Sequence, residues 1–274
     1  AAGGIAVPAS AQDARAGALE EVIVTAQRRE QSLQDTPIAI TAFTTDKLND
    51  LGVFDVSQVG DFAPNVTIQK QPSSNSNMNI AIRGVGQGET SLLADPKVGL
   101  YIDGVFMSKT VGAVFDVADL ERIEVLRGPQ GTLFGRNTTG GAINVSTKKP
   151  TGEFGLKQDV SLGSNDAFRA RTNLNLPAWG ALSVRLSYMH DEDGGTSDNL
   201  IGGQRIDLRP FDPDLGVLKY EDDLGSEDTD AFMLAARLAV NDELTLDYKY
   251  DRTDSDTVGN PTQQLGVTGG ALQP

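Results

Sequence analysis

The chain has no cysteine and a single histidine, His190. Disulfides, thiolate nucleophiles and cysteine-built metal sites are therefore excluded. A Ser-His-Asp triad would have to use His190, and a histidine-rich metal centre is impossible; that residue reads as a polar group at a strand end. Long apolar runs are missing too. No stretch reaches the roughly 18 residues of a transmembrane helix, a test to which β-barrel strands are invisible. Positive charge is scarce, with 23 Lys and Arg against 38 Asp and Glu, and residues 151–274 carry −12 of the net −15. Such a field repels phosphate backbones, so nucleic acid is not an expected partner.

Core material is present. Hydrophobic residues make up 39% of the 274, enough for one large domain or two ordinary ones. Ile5 to Ala11, IAVPASA, resembles the end of a secretory signal with an A-x-A triplet, and residues 1–11 are read as its remnant. Residues 12–36 are a polar tail apart from one island, Glu21, Val22, Ile23, Val24, Thr25 and Ala26. Its four consecutive β-branched residues have no partner strand in view and form a template for pairing. They are either an edge strand of the following domain or a peptide donated to a partner's sheet. Polar sequence on both sides, including the linker Gln27 to Asp35, favours donation.

Residues 37–150 mix strand and helix signals, which predicts a compact α+β domain. Strands are expected at Pro37–Phe43, Val66–Lys70, Asn79–Arg83, Arg122–Leu126 and Ala142–Thr147, with a hairpin Val98–Phe106 turning on Asp103-Gly104. Helices are expected from Thr45 to Leu51, stopped by Gly52, and from near Asp55 to before Pro64. The polar run Gln71 to Asn77 is expected to separate two strands. Within ERIEVLRGPQGTLFGRNTTGGAINVSTKKP, residues 121–150, glycines 128, 131, 135, 140 and 141 interrupt the strands. Neither this run nor GVGQG at 84–88 gives a strand-to-helix G-x-G-x-x-G or a GK[ST] ending, so phosphate cradling is not expected.

After Pro150 the pattern becomes strict alternation. Five strands of about 9 to 11 residues, the length that crosses a bilayer at a tilt, are expected around Phe154–Leu162, Phe168–Leu176, Leu182–Tyr188, Phe232–Val240 and Leu244–Tyr250. A soluble sandwich also alternates, so a periplasmic or surface binding or adhesion protein stays open on this ground. Connection lengths lean the other way: the links are short except Asp191–Thr229, as in barrels with periplasmic turns and long outer loops. That loop is rich in carboxylates. Glu221-Asp222-Asp223 and Glu227-Asp228 could hold a divalent cation, but without EF-hand spacing the solvated loop is preferred. Paired carboxylates with no apolar pocket give no catalytic set, so the chain reads as a non-enzyme without a cofactor.

The strings EVIVTA, AIRGVG, KVGLYIDGVF and DLERIEVLRGPQGTLFGRNTTGGAINV, together with INVSTKKP, resemble the TonB-dependent outer-membrane receptors. The resemblance covers residues 21–150 by motif and the remainder by pattern. It implies a TonB box at 21–26, a plug at 37–150, and the start of a transmembrane antiparallel β-barrel at 151–274. Family barrels have about 22 strands; five cannot close, and open edges in lipid leave backbone groups unpaired. The chain is accordingly expected to be the front of a longer protein.

The resemblance further implies active uptake of a scarce small molecule or metal chelate, a ferric siderophore foremost. It names TonB with its inner-membrane energising complex, and outer-membrane lipid, as partners. Arg83 of the IRG motif and Arg127 of the RGP motif would lock the plug to wall carboxylates, with Glu124 and Arg136, then Glu121 and Arg122, as weaker candidates. Gly84, Gly128, Gly131, Gly135, Gly140 and Gly141 would let the plug backbone turn and pass close. Gln71, Ser73, Ser74, Asn75 and Gln87 are expected at the substrate-facing apex.

Overall fold

In the computed structural model the described residues are 23–25, 31–53, 56–71, 74–87, 94–108, 120–212, 214, 216–220 and 222–260. The signal remnant expected at residues 1–11 lies outside them, as do Glu21, Val22, Ala26 and Ser73.

The N-terminal segment forms β1 (Ile23–Val24) and β2 (Gln31–Ser32), paired antiparallel with Ile23 opposite Ser32. The polar linker is therefore not uniformly free: Gln31 and Ser32 are in a strand, and a 3-10 turn follows at Leu33–Asp35. Next come β3 (Ile40–Thr44) and α1 (Thr45–Asp50), whose N-cap hydroxyl, Thr44 Oγ1, accepts from Lys47 N at 3.4 Å. The expected strand starts three residues late, in keeping with the missing N–H of Pro37. The second predicted helix is only a 3-10 turn, Val56–Gln58, followed by the single turn α2 (Val59–Phe62).

β4 (Val66–Gln71) and β5 (Ser74–Ile82) make a hairpin, closed by β6 (Val85–Gly86). Here the expectation of a separating polar break fails. Ser74 pairs with Gln71 across a bulge and the Ser/Asn run continues the strand, because ladder bonds are made by backbone groups whatever the side chains. Then follow β7 (Val98–Ile102), β8 (Val105–Met107), β9 (Leu120–Arg127), the helical turn α3 (Gly131–Phe134) and β10 (Gly141–Thr147). The central sheet has the order β3-β9-β10-β7-β8, with β10 and β7 parallel and the other pairs antiparallel.

Alternation gives that sheet two buried faces. Phe43, Ile123, Val125, Ile143 and Val145 pack under α1, α2 and the β4–β5 hairpin. Leu126, Ala142 and Tyr101 face the other way, where Val24 and Phe134 cover them. Both sides of a central strand being covered explains near-continuous apolar runs in β7 and β10.

The second sheet has the order β11 (Gly155–Leu162), β12 (Phe168–Asn175), β13 (Leu182–Asp193), β18 (Glu227–Ala239) and β19 (Thr245–Thr257), antiparallel throughout. The last three are 12 or 13 residues long, longer than expected, because Met189 to Asp193 pair with Glu227 to Ala231 beyond the apolar stretch. Asp191, Glu192, Asp193, Glu227 and Asp228 thus belong to strands rather than to the loop. Between them lie two small ladders: β14 (Ser197–Asp198) with β17 (Asp223–Leu224), and β15 (Arg205–Asp207) with β16 (Val217–Lys219).

Polarity in this sheet is inverted relative to a soluble sandwich. Leu156, Val160 and Leu162 on β11 and Leu246, Tyr248 and Tyr250 on β19 are exposed, Leu162 by 81%. The opposite face buries Asn173 to 2% and Ser187 to 1%, along with Arg185. An apolar outside and a polar inside is the signature of a barrel wall. The two edge strands, β11 and β19, are not joined, so the wall is an open sheet of five strands.

Candidate functional site

Of the island at 21–26, Val24 and Thr25 dock on the plug. Val24 is fully buried among Tyr101, Leu126, Phe134 and Ala142, while Ile23 points outward and is 41% exposed. Thr25 reaches the sheet: its backbone N–H donates to Glu124 Oε1 at 2.6 Å. Its hydroxyl lies 3.1 and 3.2 Å from the two Glu124 oxygens and accepts from Arg122 Nη2 and Asn144 Nδ2, each at 3.3 Å. Arg122 Nε and Asn144 Nδ2 also donate to Glu124, at 3.0 and 3.1 Å. Glu124, expected to face the barrel wall, is 0% exposed and turned into the plug. The reason is strand parity: Glu124 shares a face of β9 with Leu126, the face that Val24 covers.

Arg83 and Arg127 are brought together at one turn. The Arg83 N–H donates to Asn65 O at 2.8 Å, and Arg127 Nη1 donates to Pro64 O at 3.4 Å. A Cβ placed on Gly128 would stand 3.7 Å from Arg83 Nη1, so the first guanidinium overlies the second motif. Arg83 itself has φ +53. Neither it, nor Arg127, nor the exposed Arg136 makes an ion pair among the described residues. An anionic group on the facing wall would be attracted to both guanidiniums.

The glycines divide by role. Gly84, Gly128, Gly135 and Gly141 have positive φ. Gly140 instead permits close approach, because a Cβ there would stand 2.8 Å from Val85 O. Gly131 needs neither: its φ is ordinary, the space around it is open, and it opens α3.

The wall grips the plug at points the sequence did not signal. Lys249 on β19 donates to Asp103 Oδ2 and Thr147 Oγ1, and Lys70 Nζ lies 3.8 Å from Glu227 Oε2. A polar cleft between α1 and the wall is lined by Asn49, Val53, Lys157, Asp159, Arg169 and Arg171. Lys148, on the connector, has its pKa lowered by burial and by the like charge of Lys157, against the attraction of Asp46, Asp159 and Glu121. Glu121 pairs with Arg122 at 2.7 Å, so these two hold each other.

Of the apical candidates, Gln71, Ser74 and Asn75 fall at the tip of the β4–β5 hairpin and Gln87 follows β6. The loop carboxylates, expected to be solvated, form no ligand cluster of their own among the described residues. Ligand atoms of His190, Asp228 and Asp230 do lie within 4.8 Å of one another, on the face of β13 and β18 that continues from Tyr188 and Phe232. Tyr188 Oη donates to Asp230 at 2.6 Å there.

Residues 32–142 match the family model of the TonB-dependent receptor plug domain. The pesticin receptor of Yersinia pestis is 28% identical over 218 residues, 75% of this chain and 31% of that protein. The metal-pseudopaline receptor CntO of Pseudomonas aeruginosa is 30% identical over 200 residues, 70% of this chain and 27% of that protein. Among solved structures, the ferric yersiniabactin uptake receptor FyuA from Yersinia pestis superposes with a TM-score of 0.63 at 26% identity, covering 80% of this chain and 32% of that one. The chain spans about a third of the length of the curated relatives it matches. A plug-domain match, a plug packed on a wall of inverted polarity, and this set of relatives lead to one assignment: the chain belongs to the TonB-dependent receptors of the bacterial outer membrane.

Proposed function

We propose that this chain is the gating portion of an outer-membrane receptor that imports a metal chelate, a ferric siderophore being the foremost substrate. The observation that carries the reading is the inverted wall: exposed Leu156, Val160, Leu162, Leu246 and Tyr248 suit lipid, while the polar face holds a separate globule. A globule seated inside such a wall closes it to diffusion, so passage requires the globule to shift. The names of two relatives, for metal-pseudopaline and ferric yersiniabactin, support a metal-chelate class over other solutes.

Energy enters at residues 21–26. Added as a strand to TonB, this segment would be held by main-chain hydrogen bonds, with alternate side chains giving selectivity. Traction on it passes through β2 and the 3-10 turn to β3, which pairs with β9 and so with the RGP motif. Arg83, Arg127 and Arg136 would hold the plug, by charge-assisted bonds that a pull can break, to wall carboxylates outside the described residues. Gln71, Ser73, Ser74, Asn75 and Gln87 offer polar contacts to the chelate. Ile23→Pro removes a strand donor and fixes φ. It should abolish uptake of labelled ferric siderophore by cells while leaving binding at the cell surface intact; uptake at the parental rate would refute the proposal.

A further inference from the structure

The outward face of the wall changes character where β13 runs into the long loop and β18 returns from it. Before that level it is apolar, with Leu182, Val184 and Leu186 opposite Leu238, Ala236 and Leu234. Tyr188 and Phe232, opposite each other, end the apolar band, as aromatic residues do at a bilayer boundary. The next outward pair is His190 with Asp230, and the one after it Glu192 with Asp228. On β19 the same rows continue, Asp254 opposite Asp230 and Asp256 opposite Asp228. Like charges directly opposite destabilise a ladder, and the nearby cation of β19, Arg252, is turned to Asp254 at 2.8 Å. A sheet that carries such pairs is stabilised by a bound dication.

Three of these groups are placed as ligands. Nδ1 of His190 lies 3.2 Å from Asp230 Oδ1 and 3.9 Å from Asp228 Oδ1, and the three ligand atoms fall within 4.8 Å of one another. Ligands about 2.1 Å from one tetrahedral zinc stand roughly 3.4 Å apart, so a small swing of the exposed Asp228 side chain closes the set. The imidazole is positioned from its other sides. Phe168 of β12 packs on it with ring centroids 6.0 Å apart, and Glu192 Oε2 lies 3.8 Å from Nε2. A carboxylate at the far nitrogen raises the basicity of the liganding one. Tyr188 Oη donates to Asp230 Oδ1 at 2.6 Å and fixes that carboxylate. A histidine flanked by a carboxylate and an aspartate held by a phenol are outer-shell features of a metal site.

We infer that His190, Asp228 and Asp230 bind a divalent transition metal on the outer face of the wall, at the root of the long loop. An imidazole nitrogen favours zinc and its first-row neighbours over magnesium and calcium, which take oxygen ligands. Three protein ligands leave coordination positions open to water on the exposed side. The ion joins the end of β13 to the start of β18, so it staples the two ends of residues 194–226. The site lies on the face turned away from the plug and does not depend on which solute the receptor imports.

The test titrates zinc chloride into full-length receptor that has been purified from outer membranes and stripped with a chelator, and reads binding by calorimetry. His190→Gln should abolish the saturable zinc binding that this site adds. Tyr188→Phe keeps the ring and loses the hydroxyl, so affinity should fall about tenfold, the scale of a lost outer-shell contact. Asp228→Asn should lose zinc affinity and yet, without zinc, melt no lower than the parent, because it removes the like-charge pair with Asp256; a purely structural carboxylate would not give that combination. Zinc should also slow proteolysis within residues 194–226 of the parent and leave His190→Gln unprotected. Zinc affinity unchanged in both His190→Gln and Asp228→Asn overturns the site. Equal protection of the loop in the parent and in His190→Gln overturns the staple.

Discussion

Lys249, on the outermost strand of the wall, donates to Asp103, the left-handed turn residue of the β7–β8 hairpin of the plug. The same carboxylate accepts from Thr147 N and Thr147 Oγ1, both at 2.9 Å. One group therefore closes the hairpin, fixes the end of β10 and ties both to the barrel. Lys249→Met should remove the tether alone, at about 1 kcal/mol for a partly exposed pair. Asp103→Ala should cost more, about 2–3 kcal/mol, because the Thr147 N–H loses its acceptor and the φ of +47 suits Asp better than Ala. Hydrogen exchange of plug amides in the detergent-solubilised receptor separates them: faster exchange spread over the plug for Lys249→Met, and a local increase at Thr147 for Asp103→Ala.

The connector carries a pH signature. Burial, with help from Lys157, depresses the Lys148 pKa below its ordinary value of 10.5. For a base with a lowered folded pKa the charged form is penalised by folding. The penalty is fully present below the folded pKa and fades as pH rises toward 10.5. Lys148→Gln should stabilise the plug at pH 7 to 8, by no more than about 1 kcal/mol given partial solvent exposure, and make no difference near pH 11. Urea melts of the two proteins at both pH values test this; a variant less stable at pH 7 would show that attraction to Asp46, Asp159 and Glu121 outweighs burial.

Most strands could be read from the chain because alternation reports which face is covered, and in the wall the same alternation survives with the faces exchanged. Alternation cannot say which face meets lipid; exposure of Leu162 and burial of Asn173 does. The island at 21–26 was legible as a pairing segment, but its docking was not. Thr25 meets Glu124 across 99 residues of sequence, and nothing local marks a carboxylate as the acceptor for a distant N–H. Lys249 and Asp103 are separated further, by 146. The glycine motif was legible as a place of turns, yet the pairing of Arg83 with Arg127 at Pro64-Asn65 depends on how a hairpin folds back, which motif spacing does not encode.

Lipid contact predicts an asymmetry between neighbours. Leu186 lies on the outward face opposite Leu234, and Ser187 lies on the inward face opposite Met233. Leu186→Arg should destabilise the receptor in lipid vesicles by about 2–4 kcal/mol, the range for a cation at bilayer depth. Ser187→Ala should cost under about 1 kcal/mol, since its hydroxyl has no partner among the described residues. Denaturant titration of refolded receptor in vesicles measures both. Equal tolerance of Leu186→Arg would mean that the exposed apolar face meets water.

Two glycines nine residues apart should respond oppositely to the same methyl group. At Gly140 an added Cβ would stand 2.8 Å from Val85 O and 3.2 Å from Val85 Cβ and Cγ1, so the turn after Arg83 must move off the RGP strand. Gly140 is also fixed on both sides, its N–H to Lys97 O at 2.9 Å and its carbonyl to Gly128 N at 3.0 Å, which leaves Val85 as the part that gives. Overpacking of this kind costs about 1–3 kcal/mol, and it would part Arg83 from Arg127. At Gly131 the added atom meets nothing within 4 Å, and the residue begins a helical turn. There alanine lowers the entropy of the unfolded chain and should be neutral or stabilising by up to about 1 kcal/mol. Limited proteolysis of the two variants under identical conditions gives the readout: faster cleavage of the plug in Gly140→Ala, and cleavage at or below the parental rate in Gly131→Ala. If both variants are cut alike, close packing of the IRG hairpin on the glycine pair does not hold the two motifs together.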